Sequence, residues 1–321
     1  MTLTLDITGL SNDGRGIARR AGEKIVFVSH ALPGETVTAS ITCEKKAFIE
    51  ACATEVIRPA ENAAEAVCPH AGECGGCPLM RMSYKDQLFW KQRFVYDALA
   101  RTGGIASPAV HDIVPSPLTE GFRNRVELAF AKDSEGNIRL GMRRRTTHSV
   151  IPTPHCALMT DTARDVLRTV EDCLKKSGLS VYKGPASTGR KKMAPRETDS
   201  SRGYLRFCQI RTGRIPDAAS LASCDAIPEK EGIWVILLTS PGTAAENTCL
   251  RSAAEHILEA SPAVHAVVHE QRAGSDMLTA GEKRLFVLGR PGSAANPSWM
   301  LMPLDNKGYL IDCADFFQVN T

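Results

Sequence analysis

Three cysteines lie close together in the sequence, at Cys68, Cys74 and Cys77, with the spacing C-x5-C-x2-C. The Gly75-Gly76 pair allows the backbone to turn tightly there, so that N–H groups can point at sulfur. A centre held by four thiolates needs a fourth ligand from elsewhere, and Cys156, which follows Pro154 and His155, is the best candidate. Four cysteine thiolates are the ligand set of an iron–sulphur cluster.

Two other interpretations of these cysteines stay open on spacing alone. Structural zinc takes four cysteines, or three with one histidine, and His70 or His155 could be that histidine. Zinc sites more often contain two Cys-x-x-Cys pairs, whereas this segment contains one. In the third interpretation the cysteines bind no metal and act as small buried hydrophobic side chains. That last interpretation is the one we adopt for the isolated cysteines Cys52, Cys173, Cys208, Cys224 and Cys249.

The segment before these cysteines has the pattern of a small β-barrel. Apolar alternation at 3–7, 25–28, 37–41 and 48–56 is interrupted by turns, which is typical of an OB-like barrel. Phe27 and Phe48 could cover either bases or the core. The basic residues in or beside the turns are Arg15, Arg19, Arg20, Lys24, Lys45 and Lys46. They form either an RNA-binding surface or a solvated rim.

Gly14-Arg15-Gly16 could begin a dinucleotide fingerprint, but Arg19 stands where the third glycine belongs. We therefore interpret these glycines as turn residues.

A helix is predicted to begin at Ser83, because Asp86 three residues later resembles a capping box. The apolar residues expected on one face of this helix are Leu88, Val95 and Leu99, and Gly103-Gly104 ends it.

A hairpin is predicted farther along, with strands at 126–131 and 138–142 joined by a turn at 133–137. Basic residues bracket it, namely Arg123, Arg125, Arg139, Arg143, Arg144 and Arg145. Three consecutive arginines cannot all face a core, so they either guard a sheet edge or contact nucleic acid. We favour nucleic acid, because Arg matches phosphate geometry and stacks on exposed bases.

The remaining pattern predicts an α/β region. An amphipathic helix is expected at 161–176, with Val166, Val170 and Leu174 facing inward. A strand at 233–238, a helix at 244–260 and a strand at 264–269 follow. A polar stretch at 184–203 is interpreted as a loop.

The composition is that of a globular protein of two or three domains: 321 residues, 43% hydrophobic and 23% charged. Because the net charge is only +3, RNA binding requires local clusters of Lys and Arg. The N-terminus lacks the features of a signal peptide, and the apolar run 234–238 is too short to cross a membrane. We expect a cytoplasmic protein with reduced thiols and no membrane partner.

Together these motifs resemble the iron–sulphur branch of the RNA (uracil-5-)-methyltransferases. The resemblance covers nearly the whole chain. Its segments are Gly14–Arg19, Val26–Val28 and Leu32–Glu35 in the barrel, the cysteines 68, 74, 77 and 156, Phe122-Arg-Asn-Arg125, Gly141–Cys156 with His148, and Phe316-Phe-Gln-Val-Asn320. The radical methylthiotransferases, which also carry this type of barrel, would need a C-x3-C-x2-C motif and a barrel at the other end.

The resemblance implies a mixed α+β and α/β architecture. We expect an OB-like TRAM β-barrel at 1–60, an iron–sulphur cysteine loop and helix at 61–105, and a central α/β RNA-binding domain at 106–290. Residues 291–321 would then be the first strands of an incomplete Rossmann-like methyltransferase domain. The polar loop lengthens a stretch that is usually short in the family.

The resemblance also implies the site residues. Cys68, Cys74, Cys77 and Cys156 would bind a [4Fe-4S] cluster, and Gln318 would contact S-adenosylmethionine. The expected RNA contacts, in ribosomal or transfer RNA, are Arg15, Arg19, Arg20, Lys45, Lys46, Phe48, Arg123, Arg125, Arg143, Arg144, Arg145 and His148. Ribosomal RNA is favoured, because the cluster branch more often acts on it.

The family's reaction adds a cysteine thiolate to C6 of uracil, so that C5 can attack the sulfonium methyl group. The nucleophile, the base and the cofactor loop of the family follow the Phe-Phe-Gln-Val-Asn motif. We therefore expect a truncated chain that neither binds S-adenosylmethionine tightly nor methylates RNA, with the catalytic half lost or separately encoded. Cys313 precedes the motif and is expected on a strand, not as the nucleophile.

Two alternatives from other classes are a non-catalytic RNA-binding protein with a structural cluster, and a zinc-stabilised interaction protein.

Overall fold

The computed structural model describes residues 1–19, 24–61, 63–145, 149–175, 177–184, 203–274, 276–292 and 295–319. Contacts divide the chain into two units, Met1–Thr119 and Glu120–Thr321. The finer domain boundaries expected at 60, 105 and 290 stay predictions. Within the described ranges, no helix is both long enough and apolar enough to cross a membrane.

Unit 1 begins with a six-stranded sheet in the order β1-β5-β6-β4-β3-β2. The strands are β1 (Thr2–Asp6), β2 (Gly9–Leu10), β3 (Gly16–Ala18), β4 (Ile25–Ser29), β5 (Thr36–Glu44) and β6 (Phe48–Arg58). The predicted alternation is confirmed, since Val26, Val28, Val37 and Ala39 are buried while their neighbours along the strands are half-buried. The N-terminal region is therefore rich in β-structure; its closure into a barrel stays a prediction.

Helix α1 (Tyr84–Asp97) follows the cysteine segment and continues into a π-helical turn, Ala98–Thr102. The predicted cap is confirmed, because the Ser83 side chain accepts a hydrogen bond from the backbone N–H of Asp86. The predicted inward face is wrong, since Val95 is 52% exposed and Leu99 36% exposed. Trp90 and Phe94, one turn apart, instead pack against the cluster of Leu10, Leu32 and Met82.

Unit 2 contains a nine-stranded sheet, of which seven strands follow the order β13-β12-β11-β10-β7-β8-β9. The other two are β14, which pairs with β10, and β15, which pairs with β14. Its strands are β7 (Arg125–Lys132), β8 (Ile138–Arg143), β9 (Val150–Pro152), β10 (Leu205–Arg214), β11 (Glu231–Thr239), β12 (Val264–Gln271), β13 (Lys283–Gly289), β14 (Trp299–Leu304) and β15 (Lys307–Asp312). The helices are α2 (Asp161–Lys175), α3 (Ala218–Ala222) and α4 (Ala244–Ala260). The predicted hairpin, helices and α/β region are thus present.

Two apolar layers cover the sheet of unit 2. On one face α2 and α4 pack against β7, β8, β10 and β11, and the predicted inward residues Val166, Val170 and Leu174 are fully buried there. The other face is covered by Met300, Met302 and Cys313, which pack against Trp234 and Val268. The central strands are therefore buried on both sides, which explains why nearly every residue of β11 and β12 is buried.

Three expectations for unit 2 need correction or fall outside the description. Cys313 is not a strand residue: it lies in the turn after β15 and is buried in the core. The described part of the Phe-Phe-Gln-Val-Asn motif, 316–319, forms no strand; the backbone oxygens of Gln318 and Val319 accept from the side chain and the backbone N–H of Asn124. Most of the expected polar loop, residues 185–202, lies outside the described residues.

Candidate functional site

The cysteine segment of unit 1 is built from successive turns. The backbone N–H of Ala71 donates to the oxygen of Cys68 (3.1 Å), and that of Cys74 donates to the oxygen of His70 (2.9 Å). The N–H of Gly76 donates to Sγ of Cys74 at 3.4 Å, as the glycine pair suggested. Cys68, Cys74 and Cys77 are half-buried and form no disulfide. The loop therefore presents three thiols and at least one backbone donor to sulfur.

The described arrangement of these thiols is not a formed metal site. Within the described ranges, no three His, Cys, Asp or Glu side chains lie close enough together to hold a metal ion. The donor type fits an iron–sulphur cluster, whereas the side-chain positions do not converge on a common point. Cys156 belongs to unit 2, where it is half-buried and its backbone oxygen accepts from Nη1 of Arg164 at 3.2 Å. The four-cysteine ligand set stays a prediction.

The predicted RNA-binding residues of unit 1 differ in their exposure and in the contacts that their side chains already make. Arg15 is engaged, because it pairs with Asp13 (2.8 Å) and Glu50 (3.1 Å) and lies over the ring of Phe27 (4.8 Å). Phe48 meets Phe27 edge to face, with ring centroids 5.5 Å apart, and both rings are half-buried. The exposed cations are Arg19, Lys45 and Lys46; Arg20 lies outside the described residues.

The predicted arginines of unit 2 lie at the open end of the β7–β8 hairpin, at the start of β7 and the end of β8. Arg123 and Arg125 stand at the start of β7, where Arg125 pairs with Glu127 at 2.7 Å. Arg143 ends β8, is half-buried and lies over the ring of Phe207 at 4.9 Å. Arg144 is exposed and Arg145 half-buried, and His148 is not among the described residues.

A cleft of about 650 Å³ opens beside Arg143 and contains a basic residue that the sequence did not reveal. Arg206 of β10 is buried there, lies over the ring of Tyr182 at 4.5 Å, and donates to the backbone oxygens of Arg272 (3.0 Å) and Gly274 (2.6 Å). Burial lowers the pKa of both Arg206 and Arg143, and the charge of Arg206 lowers that of Arg143 further. The sequence signal that could have identified Arg206 is the presence of an arginine within an otherwise apolar strand pattern.

Two motifs that lie far apart in the sequence meet in unit 2. Nδ2 of Asn124, in the Phe122–Arg125 motif, donates to the backbone oxygen of Gln318 at 2.8 Å. The backbone N–H of Asn124 donates to the oxygen of Val319 at 3.0 Å. The side chain of Gln318 is exposed, so its amide is available to a ligand. Asn320, the last residue of the motif, lies outside the description.

Arg211 of β10 holds the turn at residues 312–315, which directly precedes the Phe-Phe-Gln-Val-Asn motif. This fully buried guanidinium donates from Nη1 to the backbone oxygens of Cys313 (2.5 Å) and Asp315. Burial, with the nearby charge of Arg125, lowers the pKa of Arg211 to about 10, so it remains a cation at neutral pH. The segment 313–319 is thus fixed through its backbone by Arg211 and Asn124 together.

The buried Cys313 is poorly suited to nucleophilic chemistry. Burial, followed by the charge of Asp312, raises the pKa of its thiol to about 12. A nucleophilic cysteine needs a lowered pKa or an adjacent base. This agrees with the expectation that Cys313 is not the methyltransferase nucleophile.

Comparisons with known proteins identify the first domain. Residues 1–52 match the TRAM domain family. An uncharacterised RNA methyltransferase of Nitratidesulfovibrio vulgaris is 32% identical over 290 residues, which are 90% of this chain and 55% of that protein. The 23S rRNA (uracil(1939)-C(5))-methyltransferase RlmD of Halomonas elongata is 37% identical over 168 residues, which are 52% of this chain and 34% of that enzyme.

A solved structure has a similar fold. The tRNA (uracil-54, C5)-methyltransferase of Pyrococcus abyssi, determined in complex with S-adenosyl-L-homocysteine, superposes with a TM-score of 0.64 at 18% identity. The match covers 99% of this chain and 62% of that one.

The chain spans about half the length of the curated relatives it matches. The expectation that the chain is truncated is not confirmed by these alignments, which extend along 90% of this chain in the first relative. The TRAM match together with these relatives identifies the family: the chain belongs to the TRAM-domain RNA methyltransferases, the family that contains the 23S rRNA uracil-C5 methyltransferases.

Proposed function

We propose that the complete protein transfers a methyl group from S-adenosylmethionine to C5 of a uridine in RNA, with ribosomal RNA favoured over transfer RNA. The observation that carries this proposal is the bond between Asn124 and Gln318. It joins the Phe122–Arg125 motif, flanked by arginines, to the segment whose glutamine would contact the methyl donor. An RNA-facing motif and a cofactor-facing motif are thus held together in one unit.

The chemistry needs both contacts at once. A thiolate adds to C6 of uracil, the electron pair moves to C5, and C5 displaces the methyl group from sulfur, which leaves S-adenosylhomocysteine. A base then removes the C5 proton, and the thiolate is expelled to restore the double bond. We assign Gln318 to binding the methyl donor, because its amide is exposed while its backbone is fixed. No catalytic residue is assigned.

RNA would be held by exposed cations on each unit. The proposed contacts that the structure leaves accessible are Arg19, Lys45 and Lys46 in unit 1 and Arg144 in unit 2, with Phe48 offering a half-buried ring. Arg15 is better placed to support Phe27, since two carboxylates already neutralise it. The other proposed contacts are Arg20, Arg123, Arg125, Arg143, Arg145 and His148. Single-stranded RNA fits this combination, because bases stack on aromatic rings while cations track the backbone.

We further propose that Cys68, Cys74, Cys77 and Cys156 bind a [4Fe-4S] cluster. The turns of segment 68–77 bring three half-buried thiols and the Gly76 N–H into one loop, which supports thiolate ligation. A cluster would close that loop through its ligands, because metal binding and local folding are coupled.

Deletion of the gene tests the proposed activity. We expect 5-methyluridine to disappear from one position in 23S rRNA, to persist in tRNA, and to return when the gene is restored, as measured by nucleoside mass spectrometry. Loss from tRNA alone would correct the substrate. Unchanged 5-methyluridine in both RNAs would contradict the methyltransferase proposal and leave the non-catalytic RNA-binding alternative.

A further inference from the structure

The cleft beside Arg143 lies wholly within unit 2, at the edge formed by β7, β8, β9 and the segment 180–184. Its volume of about 650 Å³ falls in the range of small-ligand sites. The described residues that line it are Ala129, Phe130, Ala131, Lys132, Arg143, Val150, Ser180, Val181, Tyr182, Lys183, Gly184, Gly203, Arg206 and Met277.

The charge of this lining has one sign. Lys132, Arg143, Lys183 and Arg206 all contribute cations, and the described lining contains no Asp or Glu. Lys132 and Lys183 are exposed at the rim, while Arg143 is half-buried and Arg206 is 3% exposed. Four cations around one cavity repel one another, and an anion in the cavity would remove that repulsion.

The buried guanidinium groups also have unused donors. Nε of Arg206 and Nε of Arg143 are buried and have no hydrogen-bond partner among the described residues. Asp276, the acid nearest to Arg206, lies 3.9 Å from it and is already paired with Arg272 at 2.7 Å. Unsatisfied buried N–H groups leave the charge of these guanidinium groups poorly compensated, so an anion placed in the cleft beside them would bind with a favourable electrostatic contribution.

The rest of the cleft is apolar and partly aromatic. Phe130, Val150 and Met277 form walls, and the half-buried ring of Tyr182 lies under Arg206. A lining that combines cations with apolar and aromatic surface suits a nucleotide better than a bare phosphate ion, because the base also needs a surface.

We propose that this cleft binds one nucleotide of a single-stranded RNA segment, with its phosphates held by Lys132, Lys183 and Arg143 and its base against Tyr182 and Met277. This inference rests on the proposed function, since it assumes an RNA substrate, and it adds a binding site to it. Arg206 positions Tyr182 through its contact with that ring and contributes positive charge to the cleft.

Fluorescence anisotropy with a short labelled single-stranded RNA tests the inference on the full 321-residue chain across a salt series. The double variant Lys132→Gln/Lys183→Gln removes two rim cations without touching the core. We expect its Kd to rise about tenfold and its log–log salt slope to fall by about 1.4, at about 0.7 per lost phosphate contact. In the parent protein, RNA carrying 4-thiouridine should crosslink to segment 180–184 or Met277, as mapped by mass spectrometry.

The matched control is Arg168→Gln/Lys175→Gln, which removes two exposed cations from α2 in the same unit. It should bind RNA like the parent protein. Equal losses of RNA affinity in both double variants would indicate general electrostatic attraction and would contradict the proposed binding site in the cleft. Unchanged binding by Lys132→Gln/Lys183→Gln, with the parent protein binding RNA, would overturn the cleft and leave the proposed function standing. No RNA binding by the parent protein would overturn the cleft, while the proposed methyl transfer is tested separately by the loss of 5-methyluridine on deletion of the gene.

Discussion

Asn124 and Gln318 are separated by 194 positions in the sequence, yet Nδ2 of Asn124 lies 2.8 Å from the backbone oxygen of Gln318. The bond leaves the Gln318 side chain exposed while its main chain is held, which is the arrangement a ligand-binding amide requires. A second bond, from the Asn124 N–H to Val319, secures the same segment.

Replacing the Asn124 side chain should loosen this segment without unfolding unit 2. In Asn124→Ala the backbone bond to Val319 remains while the side-chain bond to Gln318 is lost, and a bond of this kind is worth about 1 kcal/mol. We expect amide hydrogen exchange in 315–319 to become about five- to tenfold faster. Asn137→Ala, in the β7–β8 turn, is the control and should leave that segment unchanged. Equal amide exchange rates for segment 315–319 in Asn124→Ala and the parent would show that the side-chain bond does not stabilise this segment.

We expect Arg211 to make a larger contribution, because it is fully buried and its Nη1 donates to two main-chain oxygens, while Nε and Nη2 have no hydrogen-bond partner among the described residues. Arg211→Met should lower the free energy of unfolding of unit 2 by about 2 kcal/mol, since bonds from a charged donor are stronger than neutral ones. Urea unfolding, monitored by hydrogen exchange of β11 amides, measures this loss. Arg251→Met, on the exposed side of α4, should stay within about 0.5 kcal/mol of the parent. If Arg211→Met were more stable than the parent, the free-energy cost of burying the guanidinium would exceed the stabilisation from its hydrogen bonds.

The stability of unit 2 should fall in mild acid because of His269. Nε2 of His269 lies 2.9 Å from Oγ1 of Thr239 in the core, and burial lowers the pKa of the histidine to about 4. Between pH 6.5 and 4 the unfolded chain binds a proton that the folded one does not, so stability decreases as the pH falls through that window. The loss approaches about 3 kcal/mol at pH 4. His265, whose pKa burial also lowers, adds in the same direction.

His269→Gln keeps a hydrogen-bonding side chain and removes the titration. Between pH 6.5 and 4, the free energy of unfolding of His269→Gln should decrease less than that of the parent. The difference should be up to about 3 kcal/mol. Thermal unfolding at matched ionic strength across this pH range measures the difference. The same slope in variant and parent would show that other groups cause the acid sensitivity.

The cluster proposal makes a prediction about iron. Protein purified without oxygen should contain iron and labile sulfide, and Cys74→Ser, Cys77→Ser or Cys156→Ser should each lose most of both. Cys224→Ser is the control, because Cys224 is outside the proposed set; this cysteine is exposed, so its expected burial is wrong. A colourless protein that contains zinc, or iron content unaffected by Cys156→Ser, would contradict the four-cysteine assignment.

Short-range patterns were enough to predict much of this fold. The Ser83 cap, the α2 and α4 helices and the β7–β8 hairpin follow from local signals, because capping, 3.6-residue periodicity and turn chemistry act between near neighbours. The motifs also identified the family, which the TRAM match and the relatives confirm.

Long-range relations were inaccessible to the same reasoning. Strand β10 was missed because Arg206, Gln209 and Arg211 interrupt its apolar pattern, and only its place at the centre of the sheet explains how buried cations are tolerated. The inward face of α1 was assigned wrongly because apolar spacing does not say which face has a partner. The cleft around Arg143 and Arg206, and the bond from Asn124 to Gln318, depend on strands distant in sequence becoming neighbours. The sequence by itself determined the family and the local elements; only the tertiary structure decided which charged side chains are buried together, since burial and charge proximity are properties of the packed chain.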